Sequence, residues 1–308
     1  MNMKKFGLKI YLGVMCILLT SCASESRDLK MSNTMKIDVQ KNTYLAISPN
    51  GGRLIVAQGN ASNFAGVILV ELQDTKVIST RKIDLPKNTF TFSFAKNNNE
   101  VLVTTLKKDG SSDFLKINLD SNSEEIVYAS TSRIRFPLEV SDHEYVFLEG
   151  SGDGNRNSKW RRYKNKKNEI LNNEVFNLSS SLNVVNGSLF LLEPRTPPIF
   201  RTIYGPLPMG IKSLVDDSTF SIICADANNL ICLKSTIHLV DERYISKIMI
   251  FNDRQKCEIP GNWVDVRESY ISKDGSIIVF QAAIKDFDGP RKIFIVKNKI
   301  LNCIINSI

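Results

Sequence analysis

The densest group of chemically active side chains in the sequence is a basic segment at residues 159–167. Six of its nine residues are Lys or Arg, and two aromatic residues lie among them. Cations attract an anionic surface at long range, and exposed aromatic rings bury apolar area once contact is made. The segment therefore predicts either a solvated hairpin or a docking patch for an anionic surface, with these contact residues: Lys159, Trp160, Arg161, Arg162 and Tyr163.

A second candidate contact segment is residues 194–210, which hold five of the ten prolines. Proline has no backbone N–H to donate to a β-ladder, so the pattern predicts a rigid loop or an edge segment. The apolar residues on such a loop either cap the fold or meet a partner. We expect Ile199, Phe200 and Tyr204 to make that contact.

Acidic side chains on turns are the candidates for acid–base chemistry, namely Asp216, Asp217, Asp286 and Asp288. Carboxylates gathered at one site can act as the acid and base of glycan cleavage. Acids on turns are also commonly solvated, and their positions in the sequence do not separate these two interpretations.

The sequence offers little to a metal or a cofactor. Neither His143 nor His238 has a Cys, His, Asp or Glu partner at metal-ligand spacing, and no G-x-S-x-G nucleophile turn is present. Residues 153–157 begin like a calcium loop, but Ser158 and Lys164 stand where such a loop needs Gly and a bidentate Glu. We therefore expect no cofactor and no metal.

Four cysteines lie beyond the N-terminal segment, and in an oxidising compartment they would pair. Cys224 and Cys232 flank a good turn at residues 226–229, which suits facing positions on one hairpin. The remaining pair is Cys257 with Cys303. We therefore predict two disulfides.

The elements that must position all these residues are strands. From Met35 onward the sequence consists of short runs rich in β-branched and aromatic residues, separated by Asn, Asp, Gly, Ser or Lys. The turn around Ser48 recurs around Ser272, with an Asn-Gly or Asp-Gly pair that suits a tight two-residue hairpin. Weaker copies occur at Ala95, Ser141, Val185–Phe190 and Val215–Phe220.

The spacing of these turns indicates the architecture. Positions 48, 95 and 141 are 47 and 46 residues apart, and the interval from 141 to 272 divides into three of about 44. A period of about 45 residues with room for four strands is typical of a β-propeller blade. We therefore predict an all-β, six-bladed propeller of four-stranded blades over residues 35–308, closed by Met35–Val39, rather than a sandwich or a jelly roll.

The two strongest repeats also carry a resemblance. Ile47–Gly51 with Gly66–Leu72, and Ile271–Gly275 with Ile293–Ile295, resemble the WD-type repeats of TolB-like propellers. The resemblance implies a propeller fold and a periplasmic address. The Tol-system propeller follows an α/β domain, whereas we expect only a tether ahead of these repeats, so the resemblance does not extend to membership of the Tol machine.

The N-terminus predicts export and lipid attachment. Three lysines precede the apolar run Ile10–Leu19, which is too short for a stable membrane span, so residues 1–21 are typical of a signal peptide. Leu19–Cys22 resembles a bacterial lipobox, which implies lipidation at Cys22; the alternative is an ordinary signal with a chance cysteine. Ala23 favours the outer membrane by this resemblance. Residues 22–34 then form a flexible tether.

Charge and export together limit the function. The formal charge of +8 falls to about +5 once residues 1–21 are removed, a modest excess that does not argue for nucleic acid. We expect a membrane-anchored periplasmic or surface lipoprotein that acts as a noncatalytic scaffold for a protein or glycan partner. The alternatives are a propeller enzyme acting on cell-wall or extracellular glycan, and a structural component of an envelope assembly.

Overall fold

The protein is a β-propeller with six blades. The computed structural model describes residues 33–39, 43–60, 63–150, 158–172, 181–193, 198–225, 230–240, 243–252, 256–283 and 291–298. Their strands form six separate antiparallel sheets, five with four strands and one with three. The predicted all-β, six-bladed architecture is confirmed.

The strands follow the chain in order except at the closure of the ring. The first strand, β1 (Asn33–Val39), belongs to blade 6. Blade 1 contains β2 (Thr43–Ile47), β3 (Arg53–Asn60), β4 (Asn63–Gln73) and β5 (Lys76–Lys82), and blade 2 contains β6 (Thr89–Phe94), β7 (Glu100–Thr105), β8 (Ser112–Asn118) and β9 (Glu124–Ser130). Blade 3 contains β10 (Arg133–Ser141), β11 (Glu144–Gly150), β12 (Lys159–Lys164) and β13 (Lys167–Asn172).

The second half of the ring is less regular. Blade 4 contains β14 (Ser181–Val185), β15 (Ser188–Glu193) and β16 (Ile199–Tyr204), followed by a short 3-10 helix at Ile211–Leu214. Blade 5 contains β17 (Thr219–Cys224), β18 (Cys232–Val240), β19 (Arg243–Phe251) and β20 (Lys256–Trp263). Blade 6 contains β21 (Asp265–Ile271), β22 (Ile277–Ala283) and β23 (Arg291–Lys297), with β1 as its fourth strand.

The first strand of each blade is the innermost, and inner strands of neighbouring blades contact one another, as β2 does with β6 and β21. Because every blade is an antiparallel meander, all inner strands start on one face of the disc. We call this the loop face; it also carries the connections between second and third strands. The opposite face, where inner strands turn into second strands, is the turn face.

The hydrophobic core is divided among the blade boundaries. Its buried residues form six clusters, and each cluster joins side chains of two adjacent blades. A strand inside a propeller is covered on both sides, which explains why second strands such as Glu144–Gly150 and Ile277–Ala283 are buried at every residue. Stability therefore comes from packing between blades rather than within one.

The recurring turn has the same hydrogen bonds in blades 1 and 6. The Ser48 hydroxyl accepts from the Arg53 amide at 2.8 Å, and Ser272 accepts from the Ile277 amide at 2.9 Å. These turns lie between strands ending at Ile47 or Ile271 and starting at Arg53 or Ile277, so they are longer than the predicted two-residue hairpin. The serine hydroxyl bonds the backbone across the turn, which accommodates the extra residues.

The glycine of this turn is required by both conformation and packing. Gly51 has a φ of +70°, a region that side chains other than Gly rarely adopt. A Cβ built on it would lie 2.6 Å from Cγ1 of Ile277 in blade 6. The turn of blade 1 therefore fits closely against its neighbour, and the repeated glycine reflects that contact.

The ring is closed by the N-terminal strand, as predicted. β1 pairs antiparallel with β23, with Asn33 opposite Ile295 and Val39 opposite Arg291. The strand begins two residues ahead of the predicted Met35. Its start lies toward the turn face, because β23 runs from the loop face to the turn face.

Two details of the predicted repeats are wrong. In blade 5 the segment Val215–Phe220 leads into the inner strand, and the turn that matches Ser48 follows Cys224, where the Ala225 amide donates to the Ile231 carbonyl at 2.8 Å. Among the described residues, blade 4 has three strands. Pro206 and Pro208 lack the N–H that a fourth strand would donate, and the 3-10 helix there buries Ile211 instead.

Candidate functional site

A polar cluster lies on the neighbouring inner strands of blades 6 and 1. We call it the axial cluster; it consists of Glu268 and Tyr270 on β21 and Tyr44 on β2. The Tyr270 hydroxyl donates to Oε2 of Glu268 at 2.7 Å. In the described part of the chain, neither Oε1 of Glu268 nor the Tyr44 hydroxyl has a hydrogen-bond partner, and both side chains are only partly buried. The cluster therefore presents two open hydrogen-bonding groups.

Glu268 lies on a strained β-bulge. The register between β21 and β22 shifts between the pairs Arg267–Gln281 and Tyr270–Val279, so two residues of β21 oppose one of β22. The φ of Glu268 is +45°, which is unusual for a residue other than Gly. Such strain is typically held in place by the surrounding fold at functional positions.

A bulge in blade 3 provides an internal comparison. Phe136 has a φ of +53° at a register shift of β10, and its ring packs against the apolar cluster between blades 3 and 4. That strain is offset by burial of an aromatic ring. At Glu268 the same kind of bulge carries a desolvated carboxyl group, which accepts one hydrogen bond from Tyr270.

The surroundings disfavour the charged forms of the side chains in the axial cluster. Desolvation within the ring of inner strands raises the pKa of Glu268, although the hydrogen bond from Tyr270 partly opposes this. Desolvation, together with the nearby Glu268 carboxyl, also raises the pKa of Tyr270 and of Tyr44. In their protonated forms, a carboxylic acid and a phenol can donate as well as accept hydrogen bonds.

A polar cavity adjoins this cluster. The Tyr44 ring packs edge-on against Phe64, with centroids 5.4 Å apart. Phe64 in turn lines a cavity of about 170 Å³ between blades 1 and 2, together with Lys82, Asp84, Pro86, Asn88 and Thr89. One aromatic ring thus separates the axial cluster from the cavity.

The loop face of blade 5 exposes an apolar surface. β18 and β19 pair as far as Val240 and Arg243, whereas β17 pairs with β18 only as far as Thr236. The hairpin therefore extends beyond the inner strand. Leu239 is 65% exposed at its end, and Phe220 on β17 is 45% exposed.

The predicted basic segment forms β12 and the turn into β13, which agrees with the predicted hairpin. Lys159–Lys164 form β12, and Trp160 is only 1% exposed within the cluster between blades 3 and 4. A partner cannot reach that ring, so the assignment of Trp160 as a contact residue is wrong. The alternation of side chains along a strand places Trp160 inside and its neighbours outside.

The arginines of the basic segment are neutralised by glutamates. Arg161 Nε lies 2.8 Å from Glu149, and Arg162 Nε lies 2.6 Å from Glu144. Tyr163 is half-buried, with its ring 5.3 Å from that of Tyr128. Lys159, Lys166 and Lys167 remain exposed. The cationic surface is therefore smaller than the sequence indicates.

Glu144 joins the two predicted contact segments. It accepts from Lys164 Nζ at 2.7 Å and from the Tyr204 hydroxyl at 2.9 Å, in addition to Arg162. Desolvation of Glu144 would raise its pKa, but the hydrogen bonds, led by that from Lys164, outweigh it and lower the pKa to about 2. We call this the Glu144 network. It ties blade 3 to blade 4 as a structural ion cluster.

Within residues 194–210, predicted to be a rigid loop or an edge segment, Ile199–Tyr204 form β16, an edge strand of the three-stranded sheet of the described residues. Phe200 packs in the cluster between blades 4 and 5, with its ring 6.0 Å from that of Phe190, and Ile199 is 36% exposed. The assumption that Phe200 and Tyr204 lie on an exposed loop is wrong, because one packs in the core and the other bonds Glu144. Lys159 and Ile199 both begin third strands, so they lie on the same loop face.

The predicted acids and cysteines have different outcomes. Asp216 is bound by Lys234 Nζ at 2.5 Å, which lowers the pKa of Asp216, so its carboxylate stays charged and engaged. Asp217 lies on an exposed turn, while Asp286 and Asp288, like residues 153–157, lie outside the described residues.

The Cys224–Cys232 disulfide is confirmed, joining facing residues of β17 and β18. Cys257 lies on β20, and Cys303 lies outside the described residues.

The described ranges contain neither a group of metal ligands nor a membrane-spanning helix. No three His, Cys, Asp or Glu side chains there are grouped to hold a metal ion. No helix in those ranges has the length and apolarity of a membrane span.

Glu268 was not predicted from the sequence. Its signal was a charged residue within an inner strand, four positions before Ser272. Tyr44 occupies the equivalent position of the first repeat, four residues before Ser48.

The proteins that resemble this chain are solved structures of low sequence identity. No protein-family model matches the sequence, and no curated protein matches it either. Oligogalacturonate lyase from Vibrio parahaemolyticus is similar over 82% of this chain and 76% of its own, at 10% identity and a TM-score of 0.48. The β-propeller domain of the Trilobed protease from Pyrococcus furiosus is similar over 83% and 85%, at 15% identity and a TM-score of 0.47.

TolB from Acinetobacter baumannii is also among the similar structures. The similarity covers 82% of this chain and 54% of TolB, at 13% identity and a TM-score of 0.39. At such identities the likeness concerns the fold alone.

Proposed function

We propose that this protein is a lipid-anchored scaffold of the bacterial envelope whose propeller binds a protein or glycan partner without catalysis, at the axial cluster. The observation that carries this proposal is the pair of open groups, Oε1 of Glu268 and the Tyr44 hydroxyl, held across a blade boundary. A bulge with positive φ and a desolvated acid both disfavour the folded state. Among the described residues, no second hydrogen bond to Oε1 relieves this cost, which supports a role in binding rather than in stability.

The anchor is proposed at Cys22, with residues 1–21 as the signal peptide and the outer membrane as the favoured location. The position of β1 is compatible with an anchor at the N-terminal end of the chain. Because β1 starts toward the turn face, the tether joins the propeller on that side. The loop face, with its exposed hairpin, is then available to a partner.

A second candidate function is an enzyme acting on envelope glycan. The observation that favours it is the raised pKa of Glu268, since burial that favours the protonated form of a carboxyl group suits a general acid. Asp216 is a poor candidate for this role because Lys234 binds it. Glu268 therefore replaces the turn acids in the enzyme hypothesis.

Crosslinking capture from envelope membranes tests the binding proposal. We would compare the full chain with Glu268→Ala and Tyr44→Phe, and use Glu139→Gln as a control. Glu139 is also an inner-strand carboxylate, but it accepts from the Lys96 and His143 amides near the turn face. Loss of one specific partner in the two axial variants alone supports the proposal. Capture that all variants share would remove the axial cluster from it.

The same variants separate the enzyme from the scaffold. Turnover of purified cell-wall glycan by the wild type, abolished by Glu268→Gln, would replace the scaffold with the enzyme. Membrane fractionation of Cys22→Ser tests the anchor independently, and a variant that stays fully membrane-bound would contradict lipidation at that residue.

A further inference from the structure

We infer that the axial cluster binds an uncharged segment of glycan, recognised through its hydroxyl groups and one aromatic wall. The inference rests on the proposed binding role of the axial cluster and names its ligand class. It is argued from the open groups, the aromatic rings, the neighbouring cavity and the placement of nearby charges.

The open groups match hydroxyls. Sugar hydroxyl groups both donate and accept hydrogen bonds, and so do a protonated carboxyl group and a phenol. Glu268 and Tyr44 lie on neighbouring inner strands of two blades, close enough for the Glu268 carboxyl to raise the pKa of Tyr44, and Tyr270 donates to the other carboxyl oxygen at 2.7 Å. A buried site built to bond hydroxyls discriminates strongly against ligands that lack them.

The charged side chains beside Glu268 in blade 6 do not favour a charged ligand. Arg291 donates to Asp265 through Nε at 2.9 Å, and Arg267 Nε lies 3.0 Å from the same carboxylate. These cations are therefore engaged by an acid of their own blade. Burial raises the pKa of Glu268 and so disfavours its ionised form, which makes it a poor counterion for a cationic partner.

The rings and the cavity extend the site. The rings of Tyr44 and Phe64, packed edge-on, lie between the axial cluster and the cavity of about 170 Å³ and form the aromatic wall of the proposed site. The apolar C–H face of a sugar can pack on one aromatic ring while its hydroxyls reach nearby polar groups. The cavity supplies polar groups from Asp84, Asn88 and Thr89, and Lys82 and Lys87 also line it. A ligand of several sugar units thus fits the arrangement better than a single unit.

The experiment measures binding of the full chain, purified in detergent, to immobilised neutral and anionic oligosaccharides of graded length. The neutral probes are chito-, cello- and malto-oligosaccharides, and the anionic probes are uronate oligomers. We expect binding to a neutral series that tightens with length. Tyr44→Phe and Glu268→Ala should each weaken it about tenfold, the upper range for one lost hydrogen bond. Glu139→Gln should leave it unchanged.

Glu268→Gln distinguishes recognition from folding. Its neutral amide also donates and accepts, so it should bind within about threefold of the wild type at pH 6. At pH 9 the wild type should bind more weakly than Glu268→Gln, because only the wild type can ionise. The titratable groups around this residue are Tyr270, Tyr44 of β2, and Asp265 and Arg267 of its own strand.

The outcomes separate this inference from the proposed function. Binding to anionic oligomers only, or neutral binding that all axial variants share, overturns the glycan assignment. No glycan binding together with capture of a protein that depends on Glu268 also overturns it, while the scaffold role stands; that partner would then be sought at Phe220 and Leu239. Failure of both assays overturns the inference and the proposed function together.

Discussion

Glu144→Gln is the change whose effect on stability follows most directly from the structure. Glu144 is 3% exposed and accepts from Ser141, Arg162, Lys164 and Tyr204, so it joins two blades at a single carboxylate. The amide keeps the shape of the side chain but loses the charge. Arg162 and Lys164 then lose their main counterion, although both keep contact with solvent.

The magnitude follows from the pKa. Each pH unit by which folding lowers a pKa corresponds to about 1.4 kcal/mol. A pKa lowered from 4.5 to about 2 therefore sets a ceiling of about 3 kcal/mol for Glu144. Lys164 is 43% exposed, so solvent screens part of this interaction. We expect the variant to lose about 1.5 kcal/mol of unfolding free energy at pH 7.

The direction of the pKa shift predicts how the stability difference between Glu144→Gln and the wild type changes with pH. Because the folded pKa of Glu144 lies below its unfolded value, the stabilisation is present above pH 4.5 and is lost as the pH falls toward 2. Urea unfolding at pH 7, 5 and 3 should show a difference from the wild type that shrinks at pH 3. Glu169→Gln is the control, since this 57% exposed partner of Arg162 should change stability by less than about 0.5 kcal/mol. A difference for Glu144→Gln that is equal at all three pH values would refute the reasoning.

Three further substitutions test the packing and the closure of the ring. Gly51→Ala should lower the unfolding free energy by about 2 kcal/mol because its Cβ meets Ile277, whereas Gly110→Ala, with a φ of +85° and open space around it, should lose only about 1; equal losses in thermal unfolding would contradict the close approach. Trp160→Ala should lose about 4 kcal/mol by urea unfolding, and a loss below 1 would mean that the ring is not in the core. Asp265→Asn should lose about 3 kcal/mol at pH 7 because it leaves Arg291 buried without its counterion, and an unchanged midpoint would show that the pair contributes nothing.

Much of the fold could be predicted because propeller repeats leave local signals. The Ser48 and Ser272 turns and the spacing of about 45 residues indicated six blades, and the closing strand followed from the need to leave no free edge. The turn of blade 5 was misplaced because Asp216–Thr219 has turn chemistry of its own, with Asp216 bonding Ser218 and Thr219.

The candidate site could not be predicted in the same way. Trp160 and Arg162 are of residue types that are common in a surface patch. Their roles nevertheless depend on which side of β12 faces blade 4, and on Glu144 from another strand. Glu268 acquires its environment from the bulge of β21 and from Tyr44, which is more than two hundred residues away in the chain. Such cross-blade contacts have no local sequence signal.

The claim that the fold holds Glu268 for a ligand, at the expense of stability, is tested most directly by urea unfolding of the wild type and Glu268→Gln between pH 4 and pH 9. The folded pKa of Glu268 is raised above its unfolded value, so ionisation disfavours the folded wild type as the pH rises. The account predicts that the two proteins have similar stability near pH 4 and that Glu268→Gln becomes the more stable one toward pH 9. A variant that is less stable than the wild type across the whole range would identify Glu268 as a structural residue and contradict the account.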